Sequence, residues 1–158
     1  MGLAKKISSR PPIADLYEAD YSRSLFENAR MLREGRFSEA DIEKIAEELE
    51  DMGRSEKRAV GSHIAVILTN LLKWQFQPDH RSSSWRVSIY NARTSVDDPL
   101  SESRSLRNRV PELVTDRYRI ARNNAIIEAG LAEDTFPLDC PYNPEQVLDP
   151  DFWPESAD

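Results

Sequence analysis

Apolar residues recur along this chain at spacings of three and four over several long stretches, and no segment shows the period-two alternation of a half-buried strand. Tyr21, Leu25, Ala29 and Leu32 form one stripe and predict a first helix from about Leu16 to Glu34. A second helix is expected to start at a Ser38 cap, with Asp41 at its third position and Phe37 stapled onto Ile42. Its apolar line is Ile42, Ile45, Leu49 and Met52, and Gly53 reads as its stop. A third helix, about Ser55 to Phe76, is apolar over much of its circumference and is expected to be central. Pro78 ends it.

The serine run before Trp85 opens a fourth helix that repeats Trp85, Ile89, Ala92 and Val96. The fifth begins near Pro111 and ends at Gly130. It carries two apolar lines, Val114–Tyr118–Ala121–Ala125 and Leu113–Ile120–Ile127, with Arg117, Asn124 and Glu128 on a polar line between them. Five of the ten prolines follow residue 136, so the end of the chain is no helix apart from one turn capped by Asn143. Residues 132–154 read as an extended strap anchored by Phe136, Tyr142, Leu148, Phe152 and Trp153. The predicted fold is an all-α bundle of about five helices, with residues 15–154 as a single domain. Residues 1–14 are expected to form a disordered arm and 155–158 a tail.

Composition narrows the class. The longest apolar run, residues 65–72, is interrupted by Thr69 and Asn70 and falls short of the ~18 residues a membrane span needs. The opening MGLAKKISSRPP has no apolar signal region and no myristoylation pattern, and Cys140 is the one cysteine. A cytoplasmic protein without disulfides is therefore expected. The net charge of −7 is unevenly spread: residues 38–52 hold seven acidic groups and one basic, residues 54–122 seven and thirteen, residues 123–158 nine and none. A basic middle between acidic flanks is expected to pair internally. The negative total weighs against nucleic acid as the partner.

The run IAEELEDMGRSEKRAVGSHIAVILTNLLKWQFQP, the later RSSSWRVSI and the closing FPLDCPYNPEQVLDPDFWP resemble the bacterial domain-of-unknown-function family 29, abundant in cyanobacteria. The start YEADYSRSLFENARMLREGRFSEADIE fits the same family, so the resemblance spans about residues 15–154. It implies a compact helical bacterial protein with no established activity. Members often carry His in front of LLKW, where this chain has Asn70.

Candidate chemistry is sparse. Glu43, Glu47 and Glu50 share a helical stripe, but there is no Glu-x-x-His pair, and the stripe points away from the apolar face. His63 edges the apolar side of the third helix, and a structural role outweighs a base or ligand there. Cys140, flanked by acidic and proline residues, lacks the surroundings that stabilise a thiolate. The Arg117–Asn124–Glu128 line reads either as a polar pocket or as an internal salt-bridge network. Lys73, Arg81, Trp85, Arg86, Tyr90 and Arg93 combine cations with aromatic rings and are the candidate partner-binding residues.

The expectation from these residues is a non-catalytic protein-interaction module without a cofactor or resident metal. It would bind a protein partner, and a second copy of the chain is one candidate. The alternative is a metal- or acid–base-dependent enzyme using His63 with Glu47 and Glu50, and a second alternative is a nucleic-acid-associated protein.

Overall fold

The computed structural model describes residues 13–157, and the expected N-terminal arm lies outside the described residues except for its last two positions, which begin the first helix. The fold is all-α, with no strand among the described residues. Its helices are α1 (Ile13–Ala19), α2 (Tyr21–Arg33), α3 (Ile42–Phe76), α4 (Ser83–Glu102), α5 (Arg104–Arg107), α6 (Val110–Ala129) and α7 (Pro144–Leu148). None of them is long and apolar enough to cross a membrane. The residues fall into two compact units, one ending at Gly53 and one beginning at Arg54.

Local chemistry explains where the helices depart from expectation. The first predicted helix is broken at Asp20, whose extended backbone and side chain cap α2 by accepting from the Arg23 N–H at 3.0 Å. The second and third predicted helices are one. Gly53 costs a helix interior roughly 1 kcal/mol but does not end it, and no proline follows it. Positive φ angles occur at Gly35 and Gly130, not at Gly53. At Gly35 (φ 71°) the Arg36 and Gly35 N–H groups bond back to the Met31 and Leu32 carbonyls, which closes α2. The start of α3 also shifts. Asp41 rather than Ser38 caps it, accepting from the Lys44 N–H at 3.1 Å, while Phe37 and Ile42 both stay exposed.

In the first unit Leu16, Ser24 and Asn28 are buried. Asn28 donates to the Ser24 carbonyl and accepts from the Asp41 N–H at 2.9 Å, tying α2 to the head of α3. The Tyr17 and Tyr21 hydroxyls both donate to the Glu48 carboxylate, and the Lys44 ammonium sits 4.9 Å from the Tyr17 ring centre. The expected burial of the Ile42–Met52 line fails: Ile42, Leu49 and Met52 are 51%, 64% and 68% exposed.

In the second unit α3 is central, as its broad apolar surface requires. Val60, Ile64, Ile67, Leu68, Leu71 and Leu72 are buried against Ile89, Ala92 and Val96 of α4 and the Val114–Tyr118–Ala121–Ala125 line of α6. The other predicted line of α6 is not a core line. Leu113 is buried, but Ile120 and Ile127 are exposed, because the core is already closed by the first line.

The strap packs as an integral part of this unit. Phe136 and Val147 are fully buried, Phe136 meets Phe76 edge-on at 5.6 Å, and Trp153 lies 4.6 Å from Trp74. Tyr142 is buried and donates its hydroxyl to Gln75 at 2.8 Å. The turn at residues 144–148 forms the expected capping box of Asn143 and Gln146. Two arginines of the basic middle hold this acidic segment through its main chain. Arg93 donates to the carbonyls of Gln146, Val147, Pro150 and Phe152 at 3.0–3.4 Å, and Arg122 to those of Phe136 and Glu133. A guanidinium suits this task because its donors fan out in one plane and reach several carbonyls at once.

Candidate functional site

One concave site of the second unit is a cavity of about 610 Å³ between the C-terminal part of α3, the start of α4 and α6. On α3 the spacing of Ser62, Val66, Thr69 and Lys73 puts these side chains on one stripe facing it. Thr69 donates to the Ala65 carbonyl at 2.8 Å, and the Asn70 amide donates to the Val66 carbonyl at 2.9 Å. The Thr69 hydroxyl also reaches the Ala121 carbonyl at 3.3 Å, so its donor is taken, whereas one Asn70 N–H and both side-chain oxygens stay available.

Two cations enter the cavity. Lys73 is only 5% exposed, is ion-paired with Glu128, and holds its ammonium 4.8 Å from the Trp85 ring centre. Arg117, half-buried on α6, lies against Gly61 of α3. Its Nε is buried without a hydrogen-bond partner among the described residues. The predicted polar line is thus a cavity wall rather than a wedge between two buried faces: Arg117 is half-buried, while Asn124 and Glu128 are exposed. The three residues of that line form no internal network among themselves: Glu128 pairs with Lys73 at one end of the cavity, and Arg117 lies outside that ion pair at the other.

The six candidate partner-binding residues do not make one patch. Lys73 and Trp85 belong to the cavity. Arg81 donates to the Trp74 carbonyl and to Ser156, and stacks 4.8 Å from the Trp74 ring centre. Arg93 is buried beneath the strap, so its role is structural, and Arg86 sits 5.8 Å from the Trp153 ring centre beside it. Burial holds the Arg93 pKa below its ordinary value despite the nearby Asp149 and Asp151. Tyr90 is exposed and lines a separate, smaller cavity of about 240 Å³ with Arg93 and Trp153.

The residues of the enzyme alternative are divided as well. Glu47 and Glu50 belong to the first unit and His63 to the second. Among the described residues there is no group of three or more His, Cys, Asp or Glu able to hold a metal. Cys140 is half-buried, and that burial pushes its thiol pKa up, opposite to what a nucleophilic thiolate needs.

Sequence reasoning missed Gly61, because a glycine inside a helix carries no signal of what packs on it. It also missed the Tyr17–Tyr21–Glu48 cluster, whose members lie on different helices. No curated protein and no solved structure matches the chain. Residues 16–153 match the model of one family, described as Domain of unknown function DUF29, and the chain belongs to that family.

Proposed function

We propose that this protein is a non-catalytic interaction module that pairs with a second copy of itself along the first unit's part of α3. The observation that carries this reading is the apolar line Ile42–Ile45–Leu49–Met52, on which Ile42, Leu49 and Met52 are exposed and Ile45 half-buried. Its spacings of three, four and three are those of a coiled-coil seam, the narrow apolar stripe that fits a partner helix. Leaving three such side chains in water forfeits a gain of roughly 1.5–3 kcal/mol for each one buried.

The distribution of charge favours a second copy over an oppositely charged partner. Glu43, Lys44, Glu47, Glu50 and Asp51 all lie off the seam by helical geometry. One flank carries Ala46 and Gly53, which bear no charge, and on the other Glu48 is engaged by Tyr17 and Tyr21. Two acidic helices can therefore meet on this seam without like charges facing each other at its open flank. The commitment of Arg81, Arg93 and Arg122 to main-chain carbonyls supports a protein-binding reading over a nucleic-acid one.

Light scattering on a sizing column tests the proposal. At ~0.1 mM, well above a micromolar Kd, the wild type should show about twice its 18.1 kDa mass. Leu49→Glu should run as a monomer with an unchanged helical circular dichroism spectrum. A wild type that stays monomeric at that concentration, or a Leu49→Glu variant that stays dimeric, would refute it.

A further inference from the structure

The cavity of the second unit holds a cation with no counter-ion. Arg117 is half-buried and its Nε is enclosed, yet no carboxylate or carbonyl among the described residues bonds to it. Desolvated cations are ordinarily paired, because removing one from water alone is costly. The packing around it is specific. A Cβ at residue 61 would stand 2.8 Å from the Arg117 Nε, so only glycine lets the guanidinium lie where it does. At the other end of the cavity Lys73 is already neutralised by Glu128. Gly61 and Lys73 are twelve residues apart on α3, or roughly 18 Å along the axis. The open positive charge is therefore at one end only.

The wall between the ends is apolar where it is open. Val66 and Ile120, 41% and 43% exposed, both line the cavity, and the Trp85 ring stands toward the Lys73 end. An unpaired guanidinium next to uncovered aliphatic and aromatic surface is complementary to an amphipathic anion. We propose that this cavity binds a small organic monocarboxylate, its carboxylate on Arg117 and its apolar body along Val66, Ile120 and Trp85. One negative charge balances the one open cation, whereas a phosphate monoester would bring about −1.5 to −2. A guanidinium also presents parallel N–H groups that match the two oxygens of a carboxylate. The site lies wholly in the second unit and is independent of the pairing proposed for the first.

Isothermal titration and thermal melting of the full chain test this, with phenylpropanoate and octanoate as probes. Phenylpropanamide serves as the neutral analogue and inorganic phosphate as an oxyanion without a body. The acids should bind saturably at one site by ~10 mM, about ten times a millimolar Kd, and the amide should not. Arg117→Met should weaken acid binding at least ~tenfold, while its ligand-free melting temperature stays level or rises, because an unpaired cation has been removed. Gly61→Ala, which keeps the arginine but displaces it, should weaken binding too. The assignment is overturned if neither acid binds saturably, if the amide binds as well as its acid, or if phosphate binds more tightly than both. It is equally overturned if Gly61→Ala binds like the wild type, or if Arg117→Met does so or melts well below it.

Discussion

Glu48 couples the first unit to pH through two phenols. Hydrogen bonds from Tyr17 and then Tyr21 hold its carboxyl below the ordinary 4.5, and the same bond from Tyr17 is the main reason that phenol is pushed up to about 12. A depressed carboxyl stabilises the fold above its ordinary value and loses that contribution as pH falls through the lower folded one. A raised phenol stabilises below its ordinary 10.0 and loses the contribution as pH rises through about 12. The cluster should therefore hold fully between the ordinary carboxyl value of 4.5 and the ordinary phenol value of 10.0, and loosen below and above that window. Phenolate absorbance followed against pH should show a late-ionising tyrosine that Glu48→Gln shifts back toward 10. If the two titration curves superimpose, the carboxylate does not set the phenol. Contacts of this kind are hard to read from sequence because they join residues 31 and 27 positions apart. The burial of Lys73 was hidden for a related reason. A lysine reads as a surface group until the helix bearing its carboxylate, here 55 residues away, is placed beside it.

At the scale of the helix, glycine at two positions has opposite meanings. Gly53 lies inside α3, with ordinary φ and nothing within 4 Å of where a Cβ would stand. Gly53→Ala should raise stability by about 0.5–1 kcal/mol, since glycine loses the most backbone freedom in a helix. Gly130 ends α6 at φ 65°, in the left-handed region, where Gly130→Ala should cost about 1 kcal/mol. Urea melts of both variants in a Leu49→Glu background keep pairing out of the comparison, and equal effects from the two would contradict the assignment. The same residues explain what periodicity could and could not reveal. Gly130 reads as a stop, and is one, because proline-rich, non-periodic chain follows it. Gly53 reads as a stop but is not one: the periodic segment after it restarts in nearly the same phase, a sign of continuity that the glycine masks. The strap anchors were legible for the opposite reason. Aromatic residues crowded among prolines have large apolar surface and no helix face on which to bury it, so docking was the remaining solution.

At the scale of the molecule, the second unit is a helical core closed by a non-helical segment. Phe136, Tyr142 and Val147 are buried, and Arg93 and Arg122 are bonded to the strap's carbonyls. Deleting the chain from Phe136 onward removes those side chains, each worth roughly 1.5–3 kcal/mol when fully buried, less the ordering entropy of the segment. It also leaves the Arg93 guanidinium without acceptors. The expected net loss is on the order of 3–5 kcal/mol, with new binding of a hydrophobic dye. A truncated chain that melts with the wild type would show the strap to be dispensable. The acidic strap does meet the basic middle of the chain, but the joining of Arg93 and Arg122 to it runs through backbone carbonyls, which no count of charged residues reveals.

Because the core of the second unit is completed by residues beyond Ala129, a ribosome making this chain adds α3, α4 and α6 before it adds the piece that seals them. Synthesis at ~5–20 residues per second leaves those helices unsealed for on the order of a few seconds. During that interval the faces that will receive Phe136, Val147 and Trp153 lack their cover, and a chain broken off before Phe136 never closes.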